Sequence, residues 1–176
     1  MMKIILSSNS PRRKELLSEL DVNFEVRVIE GIDESYPENM PTEKVPQYIA
    51  CEKAGAYMVA KGEVLLTADT VVVLDNDIMG KPHNEHEAMQ MLRRLSGKTH
   101  QVITGVCLTT TERQVTFSDI TDVTFAELTD DEIKFYVEKY RPLDKAGAYG
   151  IQEWIGLVGV TAIKGSYFNV VGLPVH

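Results

Sequence analysis

An apolar strand that leads directly into a helix start is the sequence feature that most restricts how this chain can fold. Residues 3–6 read KIIL and are followed by SSNSP and two arginines. Ser10 is a preferred N-cap residue, and Pro11 suits the first position of a helix. The sequence therefore predicts a strand at the N-terminus and then a helix whose apolar face contains Leu16, Leu17 and Leu20.

Later segments predict a mixed α/β fold in a single domain over residues 1–176, a length sufficient to bury a core. Strands are expected over 24–29 and 64–74, and 101–110 is expected to pair with 114–125 as a hairpin. Capping residues predict helices that begin at Thr42, Asn84 and Thr129, with Glu87 and Glu132 at the capping-box positions of the last two. The first helix is expected to place Val59 on its inner face and to end at Gly62. Two further strands are expected near 155–163 and 167–171. Strand 64–74 is expected to turn back at 75–77, so the sheet is predicted to be partly antiparallel.

The charge balance excludes several classes of partner. The chain carries 18 lysines and arginines against 26 acidic residues, a net charge of −8. General binding to a nucleic acid polymer or an anionic membrane is therefore not expected. The sequence contains no apolar stretch of membrane-spanning length, and its first apolar run is too short for a signal peptide. Cys51 and Cys107 stand alone, as reduced thiols of a cytoplasmic protein do.

The segment SSNSPRR has two interpretations. A strand that enters a helix N-terminus directs backbone N–H groups and a favourable dipole towards an anion, and Ser8 and Ser10 add hydroxyl donors. Arg12 and Arg13 lie in the first turn, where a positive charge opposes the dipole unless an anion or a carboxylate answers it. The segment is either a phosphate cradle or a surface turn whose arginines pair with acids such as Glu15.

Asp69 interrupts the apolar run of residues 64–74. A carboxylate inside a strand is unfavourable unless it is paired, hydrogen-bonded or bound to a metal. Either the strand frays at this point, or Asp69 is a metal ligand or a general base.

Acidic and basic residues elsewhere fit metal-assisted chemistry on phosphates. Asp33 and Glu34 open a polar loop and are either solvated or metal-binding, since Mg²⁺ prefers carboxylates and phosphate oxygens. Three lysines stand in unusual surroundings: Lys53 beside apolar helix residues, Lys81 in GKP and Lys145 in DKAGAYGIQ. Together with the two arginines, this set is typical of a phosphoryl or nucleotidyl enzyme. A glycine-rich P-loop is missing from the sequence.

In this order and spacing, the segments resemble the Maf family of nucleoside triphosphate pyrophosphatases. The segments that carry the resemblance are SNSPRRKELL, IDE, EKA, ADTVV, GKP, MLRRLSGKTHQVITGV, DVTF, PLDKAGAYGIQ and GSYFNVVGLP. The resemblance implies an elongated ITPase-like α/β domain, with a mixed twisted sheet, flanking helices and a cleft between two lobes. It also implies hydrolysis of a nucleoside triphosphate to the monophosphate and pyrophosphate with Mg²⁺ or Mn²⁺. SPRR, ADT and AGAYGIQ are similar to the dTTP/UTP branch, and a branch that acts on 7-methyl-GTP is the alternative.

The resemblance also implies roles for individual residues. Asp69 is expected to be the proton acceptor and a metal ligand, with Glu34 as the second metal-binding acid. Residues expected to bind the phosphates are Ser8, Ser10, Arg13, Lys53 and Lys81. Residues expected to select the base are Arg12, Thr70 and Gln152.

Two departures from the family pattern and one rival function accompany the resemblance. Relatives are expected to continue beyond GLPV into a further helix, whereas this sequence ends at His176. Glu153 and Trp154 follow GIQ in place of the usual glycine and are expected to alter the rim of the base pocket. The rival is a non-catalytic nucleotide-binding regulator of cell division, against which the intact set of Asp69, Glu34 and Lys81 argues. The resemblance is compatible with a homodimer.

Overall fold

Strands and helices alternate along the structure, a computed structural model that describes residues 2–176. Within these residues the strands are Lys3–Leu6 (β1), Phe24–Val26 (β2), Glu63–Leu74 (β3), Asp77–Met79 (β4), Thr99–Thr109 (β5), Gln114–Phe125 (β6) and Val160–Lys164 (β7). The α-helices are Pro11–Glu19 (α1), Val45–Gly55 (α2), Glu85–Leu95 (α3), Asp130–Tyr140 (α4), Trp154–Gly159 (α5) and Tyr167–Val171 (α6).

One mixed sheet contains the seven strands found in residues 2–176, in the order β2-β1-β3-β5-β6-β7, with β4 paired to β3. β1 runs parallel to both β2 and β3, so that Leu6 lies opposite Val26 and Leu66. β4 and β7 are antiparallel to their neighbours β3 and β6. The predicted mixed α/β class, with its partly antiparallel sheet and flanking helices, is confirmed.

Helix starts follow the predicted caps. The Ser10 hydroxyl accepts a hydrogen bond from the backbone N–H of Arg13, and Pro11 is the first residue of α1. Thr129 forms the predicted reciprocal capping box at the start of α4. Asn84 caps α3 as expected, although the carboxylate that was predicted to complete its capping box, Glu87, accepts from His83 instead.

Two predictions for the C-terminal quarter are wrong. Residues 167–171 form α6 instead of a strand, because the Ser166 hydroxyl accepts from the N–H of Asn169, whose amide then donates to the carbonyl of Val102. Residues 154–159 are helical before β7 begins. Gly156 permits this, since a Cβ built there would lie 1.9 Å from the carbonyl oxygen of Ile151.

The helix predicted to run from residue 42 to 62 is also shorter than expected. Thr42–Lys44 is a single 3₁₀ turn, and α2 ends at Gly55. Val59, expected on the inner face of this helix, packs against the core from the segment after it. Likewise β2 ends at Val26, three residues before the predicted end of that strand.

The chain divides into two compact units. The first contains residues 2–70, Thr104–Asp119 and Gly172–His176. A cluster of Ile5, Ala50, Ala54, Leu65 and Cys107 forms part of its core. The predicted single domain, elongated outline and cleft between lobes stay predictions.

The second unit contains Val71–Ile103 and Ile120–Val171. In its core, the rings of His100, Phe125 and Tyr149 meet edge to face, with centroids 4.9–5.4 Å apart. Within residues 2–176, none of the helices is both long enough and apolar enough to span a membrane.

Candidate active site

The first unit brings together polar side chains from α1, α2, β3 and the loop after β2. At the N-terminus of α1, the N–H of Ser10 donates to the Ser8 hydroxyl at 3.1 Å. The Ser10 hydroxyl accepts from the N–H of Arg13 at 3.4 Å. Both serines thus act as acceptors within the turn. Their hydroxyls donate to no acceptor found among residues 2–176, so both protons can be donated to a ligand.

Arg13 is the cation that this turn presents. Its Nε donates to the carbonyl of Gly172 at 2.8 Å, its Nη2 to Thr70 Oγ1 at 3.0 Å and its Nη1 to Ser8 Oγ at 3.4 Å. All three acceptors are neutral, and burial lowers the pKa of Arg13 even though the Asp69 charge opposes this effect. A half-buried guanidinium with neutral partners is well suited to bind an anion.

Asp69 lies in the middle of β3, so the interpretation that the strand frays at this residue is wrong. Its side chain is 15% exposed, and Lys53 Nζ, from α2, lies 3.1 Å from Oδ1. Burial raises the pKa of Asp69, while the charges of Lys53 and Arg13 act to lower it. The carboxylate is thus a stronger base than a solvated aspartate, and two cations favour its ionised form.

Glu34 reaches the same lysine from the loop after β2. Its Oε1 lies 3.0 Å from Lys53 Nζ, with the Glu34 side chain 52% exposed. The neighbouring Asp33 accepts from the backbone N–H and hydroxyl of Ser35, and these bonds lower the pKa of Asp33. Of the two loop acids, Glu34 is therefore the one that joins Asp69.

A divalent cation fits this pair of carboxylates. Asp69 and Glu34 already converge on a positive charge, the ammonium of Lys53. Mg²⁺ commonly binds one or two carboxylates and completes its coordination with phosphate oxygens and water. Across residues 2–176, no three histidine, cysteine or acidic residues are arranged to hold a metal ion by themselves. The two carboxylates therefore suit a metal ion whose remaining ligands include the phosphate oxygens of a bound nucleotide.

Two predicted site residues belong to the second unit. Lys81 is exposed and follows β4, next to the buried Pro82. Gln152 is also exposed, and the residue after it, Glu153, accepts a hydrogen bond from Tyr136 and pairs with Lys145. The roles of Lys81 and Gln152 stay predictions, as does that of Arg12 in α1.

Thr104 and Gly172 contact the predicted site residues but were missed in the sequence. Thr104 Oγ1, fully buried in β5, lies 2.8 Å from Thr70 Oγ1, and Gly172 supplies the carbonyl that binds Arg13. Thr104 gives a weak signal of its own, because its hydroxyl interrupts an apolar strand as Asp69 does. Gly172 gives none, since its contact with Arg13 is made through a backbone carbonyl, which every residue carries.

Comparison with known proteins identifies the family. The family model described as "Maf-like protein" matches residues 3–176. The chain belongs to this family. A relative from Phocaeicola vulgatus is 63% identical over 99% of this chain and 91% of its own length, and one from Bacteroides thetaiotaomicron is 55% identical over the same shares. A relative from Flavobacterium psychrophilum is 50% identical over 98% of this chain and 89% of its own length.

All three relatives are named dTTP/UTP pyrophosphatase. The Maf resemblance drawn from the motifs is thereby confirmed, and so is the prediction that the chain is an enzyme. A solved structure of a HAM1 protein from Coxiella burnetii is also similar, at 15% identity and a TM-score of 0.47, over 73% of this chain and 75% of that one. That likeness is too weak to bear on function.

Proposed function

We propose that this Maf-family protein hydrolyses dTTP and UTP to the monophosphate and pyrophosphate. The relatives' shared name supports the reaction and the substrates. The observation that carries the proposal is the arrangement in the first unit, where the Arg13 guanidinium has neutral partners and the buried Asp69 carboxylate lies beside Lys53. The Arg13 guanidinium is suited to hold a phosphate, and the Asp69 carboxylate is suited to accept a proton.

In this mechanism, Asp69 orients a water molecule and accepts its proton as the water attacks the α-phosphorus. A proton acceptor is most effective when its pKa is close to the working pH, and burial raises the pKa of Asp69 in that direction. Lys53 keeps the carboxylate ionised before the proton is transferred. The bond to the pyrophosphate leaving group then breaks, and the water oxygen remains on the nucleoside monophosphate.

The phosphates are bound by Arg13, by the hydroxyls of Ser8 and Ser10, and by Lys53, which lies beside the carboxylates. Lys81 is assigned to the departing pyrophosphate on the strength of the family resemblance. Glu34 and Asp69 would hold Mg²⁺ or Mn²⁺, which, when bound, would neutralise phosphate charge as a Lewis acid. Arg12, Thr70 and Gln152 are assigned to base selection. Gln152 suits this role because an amide offers both a donor and an acceptor.

We also propose the cytoplasm as the location and a homodimer as the assembly to test. Both cysteines are free thiols, which supports a reducing compartment. Membrane and nucleic acid partners are not part of the proposal, because the net charge of −8 disfavours both anionic surfaces.

A product assay on several nucleotides tests the function. The protein is incubated with Mg²⁺ and dTTP, UTP, CTP or 7-methyl-GTP, and pyrophosphate is separated from orthophosphate. Pyrophosphate is expected from dTTP and UTP. CTP should be rejected by up to about 10⁴-fold, because N4–H₂ and the bare N3 reverse the hydrogen-bonding pattern of uracil.

A mock purification from cells that do not express the protein is the control for this assay, because its turnover measures contaminating phosphatases. Orthophosphate as the first product would refute the reaction. Equal cleavage of UTP and CTP, or of UTP and 7-methyl-GTP, would refute the base-selecting roles and leave the phosphate chemistry standing.

A further inference from the structure

The guanidinium of Arg13 is held by the protein along one edge. Nε donates to the carbonyl of Gly172 at 2.8 Å, and Nη2 donates to Thr70 Oγ1 at 3.0 Å. A guanidinium carries five N–H groups in a fixed planar fork, so two bonds on one edge fix the direction of the others. Towards Nη1, the described residues offer a single acceptor, Ser8 Oγ, at the long distance of 3.4 Å. The Nη1 and Nη2 end is thus free to bind a phosphate through two N–H groups.

The Thr70 side chain is oriented by a second hydrogen bond. Its Oγ1 lies 2.8 Å from Oγ1 of Thr104, whose side chain has no exposed surface. Because a guanidinium can only donate, the Thr70 oxygen must accept from Arg13, and this requires one orientation of the Thr70 side chain. The bond to the buried Thr104 hydroxyl selects that orientation.

Gly172 holds the other bond through its backbone conformation. Its φ of +134° lies in the region that residues with a Cβ rarely adopt. A steric clash does not require glycine at this position, because a Cβ built there would lie 3.7 Å from Arg13 Nε, an ordinary contact distance. A side chain at this position would instead favour a different backbone conformation and turn the carbonyl away from Nε.

We propose that Thr104 and Gly172 are positioning residues that aim the Arg13 guanidinium at the phosphates of the nucleotide. The proposal rests on the proposed function, since it takes Arg13 as a phosphate-binding residue. Neither residue touches the substrate; Thr104 acts through Thr70, and Gly172 acts directly on Arg13. It follows that Thr70 serves phosphate binding as well as any contact with the base. Removing the Thr104 hydroxyl should therefore weaken the binding of all nucleotides by the same factor and leave the preference for UTP over CTP unchanged.

Binding of inorganic pyrophosphate, measured by calorimetry with Mg²⁺ present, tests this without catalysis. Thr104→Val keeps the shape of the side chain and removes the hydroxyl, and it should weaken pyrophosphate binding by about 5- to 10-fold, as expected for one lost hydrogen bond. Thr104→Ser should restore binding to within about twofold of the wild type. Gly172→Ala should weaken it as Thr104→Val does. Thr124→Val is the matched control, because this threonine forms a hydroxyl–hydroxyl bond of the same 2.8 Å length, with Thr99, in the second unit.

A double substitution identifies the route of the effect. If Thr104 acts through Thr70, then Thr104→Val combined with Thr70→Val should bind pyrophosphate as weakly as Thr70→Val alone. Additive losses, a loss equal to that of Thr124→Val, or no rescue by serine would each overturn the proposal. Should Thr104→Val fail to fold, unchanged affinity in Gly172→Ala would overturn it. Because binding is measured, these outcomes stay separate from a failure of the proposed reaction, which would appear as the wrong product.

Discussion

The ammonium of Lys53 on α2 and the carboxylate of Asp69 on β3 form an ion pair at 3.1 Å, with both side chains 15% exposed. The same ammonium lies 3.4 Å from the carbonyl oxygen of Ala68, next to Asp69 in β3, so it is held close to this strand. A charge inside an apolar strand is unfavourable without such a partner. The pair explains how β3 can carry a carboxylate at its centre and keep it ionised.

Asp69→Asn should preserve the fold and reduce kcat/KM for UTP by roughly 10²–10⁴-fold, because an amide of the same shape cannot accept the proton. Steady-state kinetics and circular dichroism measure the two effects. Asp75→Asn is the control, since it makes the same substitution at an exposed position just after the same strand. If Asp69→Asn kept more than half of the activity, the carboxylate would be structural and the mechanism wrong.

Lys53→Met should strengthen binding of Mn²⁺ in the absence of nucleotide. The lysine neutralises Asp69 and Glu34, so its loss leaves two carboxylates that attract a cation more strongly, by at least about 1 kcal/mol or ~5-fold. Glu34→Gln should have the opposite effect. Electron paramagnetic resonance of free Mn²⁺ gives both affinities, and the exposed Lys44→Met serves as control. Unchanged Mn²⁺ binding in both site variants would place the metal elsewhere.

Acid should destabilise the second unit through His100. Burial lowers the pKa of His100 from its ordinary 6.5 to about 4, so between these values the unfolded chain binds a proton that the folded chain does not. Stability is therefore complete above about pH 6.5 and is lost as the pH falls towards 4, by on the order of 3 kcal/mol.

Urea denaturation across this pH range measures the effect. His100→Gln should flatten the dependence, because its amide can still meet the Tyr149 hydroxyl but does not titrate. The exposed His86→Gln should leave the dependence as it is in the wild type. An equal pH dependence in wild type and His100→Gln would assign the acid sensitivity to other groups.

Gly105→Ala should destabilise the protein and lower its activity. A Cβ built at Gly105 would lie 2.2 Å from the backbone nitrogen of Gln47, so α2, which carries Lys53, would have to move away from β5. Overpacking of this kind typically costs about 1–3 kcal/mol. Gly55→Ala at the end of α2 meets nothing within 4 Å and should be neutral or slightly stabilising. Urea denaturation compares the two, and equal stability would mean that the helix yields at no cost.

The sequence predicts those parts of the fold that depend on bonds between residues close together in the chain, and it fails for those that depend on distant contacts. The caps at Ser10 and Thr129 were predicted correctly, because each bonds a residue three positions away. The segment 167–171 was wrongly predicted as a strand, since its helical state depends on the distant contacts of Asn169 with β5 and β6.

The candidate site divides in the same way. Asp69 and Glu34, whose roles stay predictions, could be proposed as site residues because a charge in an apolar strand and an acid in a polar loop are visible in the sequence itself. The partners of Arg13 were not, since the carbonyl of Gly172 lies 159 positions away in the chain and Thr104 lies 34 positions beyond Thr70. Only the fold brings these residues together.

The phosphorus atom that water attacks decides whether Asp69 acts as proposed. UTP is hydrolysed in water enriched in ¹⁸O, and the products are analysed by mass spectrometry. Attack at the α-phosphorus, as proposed for the water held by Asp69, places the heavy oxygen in UMP and leaves pyrophosphate unlabelled. Label in pyrophosphate, with UMP unlabelled, would mean attack at the β-phosphorus and would contradict the proposed reaction.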